Sequence, residues 1–380
     1  MATEYTKATG ADFDELRDLA NYVFKLDFEE LLPKLYHSEN ATAPYHHIVK
    51  EDGRIKSVVG SFPMSLTVAG HPLKVAGIGT VSVHPYTRRK GYMKALMTSA
   101  MEEMAANGVD LACLGGARQR YAYFGFEPCG PLLSCELTQN NLKHTFGQLH
   151  NGELALTLVD QNDTATLTAM KTLHDAQPFR VERSDKLFYD ILCSWKSLPY
   201  ALTRGEEIVG YLVCSDSYDE VRELVLRDPA DLADALGVYF ELTAKRYTNV
   251  LCWPWNKPQV RFFESVAERI SVVEDSCFAV LHYQEVVAAM MDLKAMTTTL
   301  ADGAFTLCVE GRESIRIAVQ GGKPEVTPWA GPCDVTLPPL KAMRLLFSPV
   351  TSVYDFDCNL PAAAHQWLPL PLGYPKQDGV

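Results

Sequence analysis

Across residues 12–24 the apolar positions Phe13, Leu16, Leu19, Ala20 and Val23 recur three and four apart, the spacing of one helix face. Residues 46–83 then read as strands, broken by turns at Asp52-Gly53 and Ala69-Gly70. The helical period returns after Gly91, with Met93, Leu96, Met97, Ala100, Met101 and Met104 on one face and a stop at Gly108. Residues 109–116 predict a short buried strand, and the aromatic run "RYAYFGFE" follows it. Helix, strands, helix, strand is an α/β arrangement.

A second stretch, about 150–275, repeats that order with helices in "NDTATLTAMKTLHDAQ" and "PADLADALGVYFELTAKR" and strands between and after them. Its strand-to-helix turn is "RDPADL", where Pro229 fits the first helical position and Asp228 or Asp231 caps it. Carboxylates there repel a phosphate, so this copy reads as scaffold. From about 278 an amphipathic helix, a hairpin-rich alternation over 303–329 and a short helix in "LPPLKAMRLLF" predict a smaller α+β domain. The proline-rich end "WLPLPLGYPKQDGV" excludes regular helix or central strand. Its Trp367, Leu368, Leu370, Leu372 and Tyr374 are costly to leave in water, so the tail is expected to dock against the first domain.

With 380 residues, two or three domains are expected, and 47 % hydrophobic with 22 % charged residues is a globular composition. The polar, acidic start lacks a signal peptide's apolar core, and no apolar run reaches the ~18 residues of a membrane span. Ten cysteines without a CxxC pair suggest reduced thiols and a cytoplasmic location, with no metal site. A net charge of −12 disfavours nucleic acid as a partner.

Against that acidic background the stretch "VSVHPYTRRKGYMKALM" concentrates positive charge at a helix start. Pro85 ends the strand, and the first N–H groups of the next helix have no intrahelical partner. Those donors and the helix dipole make an anion site, Gly91 lets a phosphate approach the backbone, and Arg88 and Arg89 add charge-assisted bonds.

The string V-x-V-x-P-x-x-R-R-x-G resembles the coenzyme A-binding motif of the Gcn5-related N-acetyltransferases (GNAT). Met93 stands where that family usually has Gly or Ala. The resemblance implies acetyl-CoA as co-substrate, held by Val81, Val83, Arg88, Arg89, Gly91, Tyr92 and Met93, with an N–H near Val81 polarising the thioester carbonyl. Tyr121, Phe124, Gly125 and Phe126 match the Y-x-x-F-G-[FY] motif of the enhanced-intracellular-survival (Eis-like) group. That group's plan is two tandem GNAT-like domains, the second degenerate, then a sterol-carrier-protein-like domain. On this chain it implies a catalytic domain over 1–135, a degenerate one over 136–277 and the carrier-like domain with the tail over 278–380. It also implies a homo-oligomer, a hexamer in the resembled group, with no membrane partner.

Transfer to an amine needs a base for the ammonium proton, a donor for the oxyanion and an acid for the thiolate. A tyrosine, of ordinary pKa near ~10, suits a thiolate of pKa near ~8.5. By resemblance the acid is Tyr121 and the base the carboxylate of Val380. Asp378 is a second base candidate, and Asp27, Glu29 and Glu30 are further acidic ones. Tyr123, Phe124 and Phe126 are better read as core. His46 and His47 are adjacent on a strand and so face opposite sides. Arg118 and Arg120 read as surface, and Trp253 and Trp255 as packing. The reading is an N-acetyltransferase acting on a primary amine of a small cationic acceptor, aminoglycoside-like or polyamine-like. The alternative is a non-catalytic acyl-CoA-binding or lipid-carrier protein.

Overall fold

A computed structural model of the protein describes residues 2–350 and 360–380. The first unit runs β1 (Thr3–Lys7), α1 (Phe13–Phe24), α2 (Phe28–Leu31), α3 (Pro33–Tyr36), β2 (His46–Glu51), β3 (Arg54–Val68), β4 (His71–Val83), α4 (Tyr92–Ala106), β5 (Leu111–Leu114), α5 (Arg118–Tyr121) and β6 (Glu127–Thr138). The α4 stripe seen in the sequence buries Leu96, Met97, Ala100 and Met104 in one cluster with Val49, Val59, Ala76 and Ile78. Helices α1–α3 cover the other face, where Leu16 and Ala20 join Ile48, Ile55 and Val58. His46 is buried on that face, while His47 reaches Lys7 and Glu103 on the opposite one, as alternation requires.

The second unit follows as α6 (Gln139–Phe146), β7 (Leu154–Leu158), α7 (Thr164–Asp175), β8 (Phe179–Val181), α8 (Phe188–Cys193), β9 (Ser197–Arg204), β10 (Glu207–Ser215), β11 (Glu220–Leu226), α9 (Leu232–Thr243), β12 (Tyr247–Cys252), α10 (Lys257–Val266) and β13 (Arg269–Val280). Both units contribute to one sheet, ordered β1-β2-β3-β4-β5-β13-β6-β12-β11-β10-β9-β7, with β8 beside β3. Two of its pairings are parallel, β4 with β5 and β11 with β12, each bridged by one helix, α4 and α9. The parallel strand–helix–strand order thus occurs twice in the sheet. Its units interlock, because β13 inserts between β5 and β6. The boundaries expected at 135/136 and 277/278 fall inside β6 and β13, which run through both units.

The third unit comprises α11 (Tyr283–Ala295), β14 (Gly303–Val309), β15 (Ser314–Gln320), β16 (Lys323–Pro328), β17 (Val335–Leu337), α12 (Pro339–Phe347) and α13 (Ala362–Trp367), its strands in a separate sheet ordered β16-β15-β14-β17. Trp367, Leu370, Leu372 and Tyr374 of the tail are buried in a cluster with Val75, Leu111, Tyr283 and Phe305. Each leucine so buried contributes roughly 1.5–3 kcal/mol, which explains how a segment with little regular structure stays down.

Candidate active site

The site begins with a fault in β4. Its parallel pairing with β5 ends at Ile78 opposite Leu114, yet the strand continues to Val83. On its other side the ladder with β3 slips, Ser82 pairing with Val58 but Gly79 with Gly60. The extra residue bulges at Thr80, whose φ is +56°. A buried chain of hydrogen bonds reaches this bulge: Thr80 Oγ1 meets the Tyr36 hydroxyl, which lies 3.1 Å from His46 Nε2. Burial pulls the His46 pKa down to about 4, so its ring is neutral near pH 7. Its Nδ1 then donates to the Thr42 carbonyl at 3.0 Å, leaving Nε2 to accept from Tyr36.

Beyond the bulge, Val83, Arg88, Arg89, Gly91, Tyr92 and Met93 line one depression of about 230 Å³ at the start of α4. Gly91 occupies the cap with φ +81°, a left-handed conformation, and no side chain caps the helix. Its first N–H groups thus point at the depression with exposed Arg88 and Arg89 beside them, a cradle that fits a diphosphate. Tyr92 contributes only its backbone, since its hydroxyl donates to Glu51. Val81 lies at the bulge and packs toward α4. The counterpart turn in the second unit is closed: Asp228 accepts from Ala230 N, and Asp231 pairs with Arg204 at 2.6 Å.

Tyr121 is buried just past β5, its ring so close to Gly116 that a Cβ there would collide with it. Burial raises its hydroxyl above the ordinary value, partly offset by Arg120. Phe126 is core as expected, but Tyr123 is not: it is 68 % exposed and stacks under Lys94 at 4.5 Å. Arg118 is exposed, as expected, while its Nε pairs with buried Glu127 at 3.0 Å. Trp253 and Trp255 pack against Phe179. Asp27 caps α2 and Glu29 pairs with Arg17.

The tail arrives from the opposite face. The isopropyl group of Val380 lies against Gly77 and its carboxyl against Gly79, one residue before the bulge. Val380 borders two cavities. One, about 410 Å³, opens at the end of β5 and is lined by Leu114, Gly115, Glu220, Glu274 and Asp275, with Arg222 and Lys376. The other, about 390 Å³, is lined by Lys34, Tyr45, Phe62 and Met64. Burial pushes Asp275 up to about 7 and pulls Lys34 down to about 7. Asp378 is no free base: both of its oxygens are bound by Arg183, at 3.0 and 2.7 Å. Sequence reasoning missed Lys34, Tyr36, Thr80, Arg183 and Asp275. The local signals they carry are slight, an apolar neighbourhood around Lys34 and Asp275 at most.

The strand fault and the uncapped basic helix start both lie in the first unit. Residues 4–129 match the acetyltransferase (GNAT) domain family. The chain carries a GNAT acetyltransferase domain and is an enzyme of that type. A catalytic domain displaces the alternative of a non-catalytic carrier. No curated protein sequence matches the chain. In fold it is similar to a GCN5-related N-acetyltransferase from Anabaena variabilis, with 15 % identity, 98 % of each chain covered and a TM-score of 0.69. It is also similar to a GCN5-related N-acetyltransferase from Kribbella flavida, with 18 % identity, 97 % of this chain and 95 % of that one covered and a TM-score of 0.68. Eis1 from Mycobacterium abscessus aligns over 100 % of both chains at 14 % identity and a TM-score of 0.67. Among the described residues of this acetyltransferase, no helix is long and apolar enough to cross a membrane.

Proposed function

We propose that the enzyme transfers acetyl from acetyl-CoA to a primary amine of a small cationic acceptor, aminoglycoside-like or polyamine-like, by direct attack in a ternary complex. One observation carries this reading: the C-terminal carboxyl of Val380 stands against Gly79, beside the β4 bulge and at the wall of a cavity with three acidic side chains. Glu220 is already paired with Arg222 and Lys376, so Glu274 and Asp275 are the carboxylates that favour a cation there, and ionising Asp275 in a buried site is easiest with a cation beside it.

Bound acetyl-CoA supplies the activated acetyl group. Arg88, Arg89 and the α4 N–H groups at Gly91–Met93 hold its phosphates, and the strand edge at Val81 and Val83 its arm. The N–H near Val81, turned out of the ladder by the bulge, bonds the carbonyl oxygen of the transferring group. The Val380 carboxylate takes the ammonium proton, directly or through water, and the Tyr121 hydroxyl protonates the departing sulfur. The three-unit likeness to Eis1 supports an Eis-like plan with a carrier-like third unit, and here that unit buttresses the tail. A library of primary amines, assayed with acetyl-CoA by thiol release, tests the reading. Turnover confined to polycationic amines is the expected result, and turnover of neutral or anionic amines alone refutes it.

A further inference from the structure

We infer that Arg183, supplied by the second unit, is a positioning residue for the reaction: through Asp378 it sets where the C-terminal carboxylate stands. The inference rests on reading Val380 as the base. Arg183 follows β8, where the second unit pairs with β3, and its side chain is fully buried. Its guanidinium is shared between two carboxylates, Nε and Nη2 on Asp378 at 3.0 and 2.7 Å, Nη1 and Nη2 on Glu223 at 3.1 and 3.0 Å. Burial would raise Glu223, but the charge of Arg183 and the His174 ring outweigh it and hold the carboxyl well below the usual range. The Tyr211 hydroxyl donates to the same carboxylate. The fork is therefore held from the second-unit side by Glu223 while it grips the tail through Asp378.

Asp378 is two residues from the chain end, and two residues span at most about 7 Å. The anchor at Asp378 therefore confines the carboxyl to within that reach of Arg183. The intervening backbone is held as well: Lys34 Nζ donates to the Gln377 carbonyl at 2.5 Å and Trp195 Nε1 to the Gly379 carbonyl at 3.0 Å. Trp195 and Lys196 are both left-handed, with φ +63° and +54°, a strained turn of the kind that persists where a site over-determines it. Buried ion pairs stabilise a fold little, since desolvation offsets most of their attraction, whereas they fix one geometry among alternatives. A unit with no phosphate cradle of its own therefore serves catalysis by holding the tail.

The test uses full-length protein with acetyl-CoA and the polyamine or aminoglycoside it turns over fastest. It compares Asp378→Asn, Trp195→Phe, a Val380 deletion and, as a control, Asp231→Asn, which breaks a second-unit ion pair remote from the tail. Asp378→Asn is expected to lose on the order of 10²-fold in kcat, as misplacement by about 1 Å does, with coenzyme affinity kept. Its kcat should climb with pH where the wild type is level, since solvent must then take the proton. Its crystal structure should show Val380 lifted off Gly79, and the control should stay near wild type. Trp195→Phe, which removes one bond and leaves the ion pairs, should show the same signature more weakly and serves if Asp378→Asn does not fold. Loss on deleting Val380 with unchanged kcat and pH profile in both other variants overturns the positioning role and leaves the base standing. The deletion moves the terminal carboxylate to Gly379, where Trp195 Nε1 holds it away from the Gly79 seat, so full turnover there overturns the base reading itself. Equal losses in Asp378→Asn and the control reduce Arg183 to a fold-stabilising residue.

Discussion

Gly79 and Val380, 301 positions apart in the chain, are matched surfaces: a Cβ on Gly79 would stand 2.7 Å from the Val380 carboxyl carbon and 3.1 Å from its oxygen. At Gly77 it would stand 2.5 Å from a Val380 methyl. The glycines of "VAGIGTV" thus form a seat for the chain end.

Gly79→Ala therefore evicts the carboxylate without altering any titratable group. Turnover is expected to fall on the order of 10²-fold, with acetyl-CoA affinity by calorimetry close to wild type. Normal turnover in this variant would show that the carboxylate's position is irrelevant.

Arg88→Ala and Arg89→Ala should each weaken acetyl-CoA binding by about 1–3 kcal/mol, and added salt should weaken the wild type in the same direction. Titration should give one equivalent per chain, because Asp228 and Asp231 occupy the corresponding turn of the second unit. Two equivalents would contradict that assignment.

Tyr121→Phe removes a hydroxyl and keeps the ring that packs on Gly116. Since burial raises the hydroxyl's pKa, it carries its proton throughout the neutral range, as an acid must. Turnover should drop roughly 10²-fold or more, with melting temperature and coenzyme affinity retained. A fully active variant would return Tyr121 to packing.

Asp275 provides a pH test. Its pKa rises from an unfolded value near ~3.9 to about 7 on folding, so between those limits the native state binds the extra proton. The contribution of Asp275 to stability is thus full below about pH 4 and is lost as pH rises through 7. Asp275→Asn should not show that decline, so its melting temperature should exceed wild type at pH 8 by more than at pH 5. The KM for a cationic amine should rise several-fold in the same variant. Parallel melting curves across that range would mean the carboxyl is solvated.

The basic, uncapped helix start was legible in the sequence because every part of it is local. Pro85, Arg88, Arg89 and Gly91 lie within seven positions, and the donors are backbone groups that any helix start provides. The α4 stripe, the repeat of the strand–helix–strand order and the burial of Trp367 and Leu370 likewise follow from periodicity and apolar area. What the tertiary structure alone decided depends on contacts between distant segments. Tyr123 reads as core from its aromatic neighbours, but the turn that follows α5 directs it outward to Lys94. Insertion of β13 between β5 and β6 carries Asp275 to the cavity, and strand order is set by packing of whole faces rather than by any residue in the strand. Arg183 finds Asp378 across 195 positions, and Val380 finds Gly79 across the molecule. A lone arginine or a terminal valine carries no mark of its partner, since a buried charge needs only some counter-charge and a glycine seat only some close surface. Local chemistry therefore wrote the basic helix start into the sequence, and the fold alone brought the chain end to Gly79.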